Sequence, residues 1–132
     1  MDIFDAFATD EKLEVEGAWI DYDDKTKFLI AREYNDHFQR VFSETQEKHA
    51  RALKGKTEEA KKLSGKLMVE IMAKTILLGW EGPVKVRGVP VEYSFENAVK
   101  LLEFKGFRGW VANQASNEAN YKASAEAEDA KN

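Results

Sequence analysis

The sequence predicts a helix-dominated α+β fold: an N-terminal β-hairpin, two long helices, a short β-ribbon and two shorter C-terminal helices. Three observations predict it. Two runs of β-branched and aromatic residues, "VEGAWIDY" and "KFLIAR", flank the polar turn "DDKT". Apolar residues then recur at helical spacing along much of residues 36–78. Finally, "PVKVRGVPVEYSFENAVKLL" (83–102) passes from a proline-bounded ribbon to helical spacing at a serine.

The elements follow in order. Residues 1–12 show no sustained period and are expected to form a mobile acidic arm, with Ile3, Phe4 and Phe7 available to dock. Residues 14–32 give the hairpin. Asn35 or Asp36 is an N-cap for a helix through about Leu53, with Phe38, Val41, Phe42, Thr45, His49, Ala52 and Leu53 along one face. "KGK" (54–56) breaks it, and Thr57 opens a helix whose first turn is acidic at Glu58 and Glu59, matching the dipole. This helix is expected over about 58–78. Its wide stripe of Leu63, Leu67, Met68, Ile71, Met72, Thr75, Ile76 and Leu78 suits a core or an oligomer interface.

Gly79 is expected to terminate that helix as a C′ residue, and Trp80 to anchor the corner. The ribbon turns near Arg87-Gly88. Ser94 is the N-cap of a helix through about Phe104, with Phe95, Ala98, Leu101 and Leu102 inward. "KGFRG" reads as a break, followed by a last helix over about 109–122. The organisation is therefore an arm (1–12), one globular domain (13–118) and a polar tail (119–132) expected to be disordered, "ASAEAEDAKN" carrying no apolar residue larger than Ala.

Composition limits the function classes. The chain has 132 residues, 43% apolar and 33% charged, enough for one modest core under a solvated surface. A net charge of −4 argues against nucleic-acid or anionic-membrane binding through a basic surface. Without cysteine, disulfides, thiolate zinc sites and cysteine nucleophiles are excluded. The acidic start lacks the features of a signal peptide, and the apolar run "TILLGW" is too short to span a bilayer, so an intracellular soluble protein is expected. Charge is uneven. Residues 1–24 hold nine acids against Lys12, while residues 48–66 hold seven bases against two acids. Two solvated faces explain this, and so does head-to-tail attraction between copies or to a basic partner.

No catalytic constellation emerges. His37 and His49 lie twelve positions apart on one predicted helix, too far to share a metal, and Glu33 with His37 lacks a second pair. "DYDDKTK" (21–27) lacks the glycine and distal glutamate of a calcium loop. "GWEG" (79–82) and "GFRG" (106–109) match the GxxG of nucleic-acid clamps but read as helix-ending turns with a buried aromatic, which places Gly82 in the structural corner with Gly79, Trp80 and Ser94. There is no phosphate loop, dinucleotide fingerprint or nucleophile elbow, and Glu70, the acid nearest an apolar run, is expected at a helix edge. No cofactor, metal or enzymatic activity is expected. The candidate protein-binding residues are Trp19, Met68, Met72 and Trp110: methionines repack readily, and tryptophan serves equally as core anchor or interface hot spot.

One family shares several of these motifs. Leu77-Leu78-Gly79-Trp80-Glu81-Gly82, Tyr93-Ser94 with Glu96-Asn97-Ala98, Trp19 with Asp21, and Lys27-Phe28 with Ile30-Ala31-Arg32 lie between an acidic start and a polar acidic tail. Over roughly 14–118 this pattern resembles the tail assembly chaperones of long non-contractile-tailed phages and prophages. The resemblance implies a non-catalytic factor in the host cytoplasm. It would bind the tape measure protein, keep it soluble, help recruit the major tail tube protein, and be absent from the mature virion. It also implies a frameshift-extended form, for which an A-rich slippery run over Ala130-Lys131-Asn132 is the place to look. The alternative is a small structural head–tail joining or tail component.

Overall fold

Phe28 and Ile30 share one face of the strand Lys27–Ile30, and that alternation organises the molecule. In the computed structural model, which describes residues 1–123, this strand (β2) is the centre of an antiparallel sheet. It lies between β1 (Ala18–Asp21) and β3 (Leu77–Glu81). Phe28 pairs with Ile20 on one side and Trp80 on the other, and Ile30 with Ala18 and Leu77. Leu77 and Trp80 are three positions apart and would face opposite ways in a regular strand. A register shift between Leu29 and Ile30 leaves Leu78 as the extra residue, so both reach the core. The outer face carries the row Trp19–Leu29–Gly79 beside Lys27 and Glu81.

β3 corrects an expectation. The helix α5 (Glu58–Thr75) ends at Thr75, with Ile76 as its C-cap, and Gly79 lies inside a strand. "TILLGW" is apolar on every side, so period alone does not separate buried strand from helix. The third strand was missed for this reason. Neither space nor φ requires glycine at 79: a Cβ there would make ordinary contacts, 3.6 Å from Leu29 Cβ and 3.7 Å from the Trp19 ring, which reaches across β2. Gly82, just beyond β3, has φ 108°, and a Cβ there would overlap the Lys25 carbonyl oxygen.

The helices cover the core face. Asn35 Oδ1 accepts from the Phe38 N–H (3.0 Å) and opens α3 (Asp36–Lys48). The expected single helix breaks at His49 before the short α4 (Ala50–Leu53). Thr57 caps α5. After β3 come the two-stranded ribbon β4 (Lys85–Val86) and β5 (Val89–Pro90), with positive φ at both Arg87 and Gly88 as its tight turn requires. Ser94 Oγ accepts from the Asn97 N–H (3.0 Å) to start α6 (Phe95–Leu102).

"KGFRG" is not a break: it forms the first turns of α7 (Lys105–Ser116). Both of its glycines face open space, and Arg108 Nη1 donates to the Leu102 carbonyl (2.9 Å), satisfying the end of α6. The last helix thus starts earlier than expected and ends earlier, at Ser116. Neither GxxG stretch is a helix-ending turn: Gly79–Glu81 lie in β3 and Gly106–Gly109 in α7.

The termini also differ from expectation. Residues 1–12, read as a mobile arm, contain α1 (Ile3–Phe7) and the start of α2 (Glu11–Glu16), capped by Asp2 and Asp10. Thr9 bridges Lys122, and the Asp10 N–H donates to the Tyr121 carbonyl (2.8 Å). Tyr121 ends a 3₁₀ turn, Glu118–Tyr121, and is fully buried, its hydroxyl donating to the Ile30 carbonyl (3.0 Å). The polar tail therefore begins after this anchor and not at 119. The remainder of the expected tail, with Ala130-Lys131-Asn132, lies outside the described residues.

Candidate docking groove

Phe38 and Phe42, four apart, stack along one side of α3, and Tyr34, which precedes the N-cap Asn35, extends the row from outside the helix. Tyr34 meets Phe38 edge-on at 5.5 Å, and Phe38 stacks on Phe42 at 5.8 Å. Facing this aromatic wall, Met68 and Met72 occupy the same side of α5, with Ile76 beyond them. Ala112 and Ala115 of α7 form the opposite wall. Their small side chains leave the space unfilled, and a groove of about 480 Å³ results.

The groove's lip is built by the segment leaving β2. Ala31 N–H donates to the Ile76 carbonyl (2.8 Å), Arg32 N–H to the Glu14 carbonyl (2.9 Å) and Glu33 N–H to the Ala115 carbonyl (2.9 Å), so three helical segments hold three consecutive residues. Arg32 also pairs with the Glu14 carboxylate at 3.4 Å, which Thr9 contacts in turn. Asn35, buried, donates through Nδ2 to the Arg32 carbonyl (2.7 Å). Tyr34 sits at φ 57°, unusual for a non-glycine residue, with its carbonyl held by Gln39 Nε2 (2.6 Å). This backbone presents a ring that is 66% exposed at the groove's edge. Strain spent to keep an aromatic ring in water marks a place worth explaining.

The lining offers rings, thioethers and methyl groups, with Glu33, Gln39 and Ser43 at the margin. It is suited to burying apolar side chains along a helix, each contributing about 1.5–3 kcal/mol when fully enclosed. Met68 also borders a neighbouring cleft that holds Lys61, Lys62, Lys66 and Arg108 against Glu70 and Glu103, whereas Tyr34 and Gln39 border one that holds Glu11, Glu14 and Asp36 against Lys12.

Of the residues singled out from sequence, the structure brings Met68 and Met72 together in this groove. Trp19 and Trp110 do not line it. Trp19 is 46% exposed on the outer sheet face, with the Lys27 ammonium 4.9 Å from its ring centre and Glu81 3.3 Å from Lys27. Trp110 packs on Tyr22 (5.4 Å), Phe28 (5.5 Å) and Phe107 (6.1 Å) beside a second, smaller cleft. At that cleft's edge Asp23 accepts from the Lys25 and Thr26 N–H groups, the Lys25 bond holding its carboxyl below the usual range. "DYDDKTK" is thus a hairpin turn closed by its own carboxylate. Tyr34 and Ala112 were missed, although the aromatic 4-residue spacing that includes Tyr34 was available.

Among the described residues no group of three or more His, Asp or Glu could hold a metal, and no helix is long and apolar enough to cross a membrane. Fold and groove together define a helix-dominated α+β domain with a ring- and methionine-lined groove whose floor, with Phe38, Met72 and Ile76, belongs to the core. Residues 31–132, most of the chain, match the family model described as YdaY prophage protein, and the chain belongs to that family. It is a prophage protein. No curated protein and no solved structure matches it.

Proposed function

We propose that this prophage protein is a tail assembly chaperone that binds helical, apolar segments of the tape measure protein. The observation that carries the reading is the groove between α3, α5 and α7, with its aromatic wall, methionine floor and alanine margin. A long fibrous client presents many amphipathic segments with different side chains. Flexible thioethers accept such variety better than a rigid pocket does. Prophage membership and the resemblance of residues 14–118 to such chaperones support the same assignment. The protein acts by reversible binding and without catalysis, in the host cytoplasm, helps recruit tail tube subunits and leaves before the particle is complete.

Co-expression with the tape measure protein of the same prophage tests this. The client should move from the insoluble to the soluble fraction and co-purify, while mature particles should lack the protein. Stoichiometric retention in particles would instead establish a structural tail or head–tail joining component. A client that stays insoluble and unbound would end the chaperone reading.

A further inference from the structure

A five-residue helix that buries none of its own residues is an unusual feature on so charged a surface. In α1, Ile3, Phe4 and Phe7 are 64%, 65% and 55% exposed. Isolated helices become even marginal only near 12–15 residues, so α1 gains little from its own backbone beyond the Asp2 cap on Phe4 N–H (2.8 Å) and Asp5 N–H (3.2 Å). It presents an apolar side that the described residues leave mostly uncovered, flanked by the carboxylates of Asp2 and Asp5.

We infer that α1 of a second copy docks in the α3/α5/α7 groove. Phe4 and Phe7, one turn apart, fit the spacing of the facing ladder Tyr34, Phe38 and Phe42. Charge sets the orientation. The α1 segment is purely acidic in its charged side chains, so it turns toward the Met68 end, where the adjoining cleft holds four bases against Glu70 and Glu103, and away from the Tyr34 end, where Glu11, Glu14 and Asp36 stand against Lys12. Docked there, Ile3, Phe4 and Phe7 leave water and the exposed Tyr34 ring gains a further neighbour. Helix α1 and the groove are different surfaces of one chain, so the contact is head-to-tail and propagates from copy to copy. The inference uses the groove of the proposed function but does not depend on its client; a client helix would compete with α1 and break the series.

Sedimentation velocity on the full chain at low salt tests it with two variants altered at exposed positions. Phe4→Ser/Phe7→Ser spoils the inserted helix, and Ala112→Glu blocks the groove with bulk and like charge. The wild type should sediment faster as concentration rises and slow again at high salt. Each variant should remain monomeric, association falling by at least ~100-fold when two buried phenylalanines are lost. An equimolar mixture should give dimers and nothing larger, because one variant keeps only a groove and the other only a helix. Monomeric wild type at every concentration, or a mixture that stays monomeric, would overturn the inference. So would variants that self-associate like wild type. If Phe4→Ser/Phe7→Ser is monomeric yet still captures the tape measure protein, the two readings stand separately. If wild type associates as expected but captures no client, only the chaperone assignment falls.

Discussion

Two ring-rich regions of this protein have opposite fates. Around β2, Phe28 touches Trp80 (6.1 Å), Phe107 (5.2 Å) and Trp110 (5.5 Å), and Tyr93 stands edge-on against Trp80 at 5.1 Å. Trp80 Nε1 donates to the Val91 carbonyl (3.0 Å), tying β3 to the segment after the ribbon. At α3, Tyr34, Phe38 and Phe42 form an equally regular series; Phe38 is buried with Met72 and Ala115 in the core, yet Tyr34 stays exposed and a groove remains beside the alanines. Apolar content is similar in the two places. What differs is the facing layer: large rings with satisfied polar tips close a corner, whereas methyl groups opposite a ladder leave a face for something else.

The strongest test of that contrast is Trp80→Ala. Trp80 is buried between Phe28 and Tyr93, so truncation removes ring contacts, strands the Val91 carbonyl and leaves a cavity. A loss of about 3–5 kcal/mol is expected by denaturant unfolding. A value near 1 kcal/mol would mean the corner collapses freely and is not the rigid member of the pair. Next in size is Gly82→Ala, at the turn that aims β3 into the ribbon. With φ at 108° and Thr26 Cα 2.9 Å from a Cβ, backbone strain alone should cost roughly 1–3 kcal/mol, and overlap with Lys25 adds to it. Unchanged stability would show that the loop at 25–26 yields.

The corner and the groove were unequally legible in the sequence. Caps at Asn35, Thr57 and Ser94 have a local signature and lie where side-chain chemistry puts them. Trp80 is readable as an anchor because a large ring beside glycines has few other uses. The third strand is not, since a six-residue apolar run carries no distinguishing period and only pairing with β2 decides it. The groove is an absence between three helices and depends on where Ala112 and Ala115 fall relative to Phe38. That relation exists only after packing. Tyr121 shows the same limit: one tyrosine in a polar stretch gives no periodic signal, yet its fully buried ring joins the C-terminal segment to β2.

Tyr121 supplies a smaller, pH-dependent test. Burial pushes its phenol well above the ordinary value of 10.0. The folded state therefore keeps the proton where the unfolded chain would release it. Its contribution to stability is complete below about pH 10 and is lost as pH rises beyond that. Tyr121→Phe should cost about 0.5–1.5 kcal/mol near neutrality through the missing bond to Ile30. The same substitution should make the decline above pH 10 shallower, with the remaining slope shared by Tyr93, which burial shifts in the same direction. An alkaline limb identical to wild type would assign that transition elsewhere.

The smallest expected change in stability separates the regions most sharply. Ala112 is exposed on α7 at the groove margin, and glutamate is a good helix former, so Ala112→Glu should leave the unfolding free energy within about 0.5 kcal/mol. Its carboxylate would nevertheless project beside Phe38 and Met72, where an apolar helix would have to desolvate it. If the proposed chaperone function holds, retention of the tape measure protein in the soluble fraction should then fall sharply while the melting curve is unmoved. Trp19→Ala, on the outer face of the sheet, should leave that retention intact. If Ala112→Glu retains the client and Trp19→Ala loses it, the working surface is the sheet's outer face with Lys27 and Glu81, and the open groove is only a consequence of packing alanines against aromatic rings.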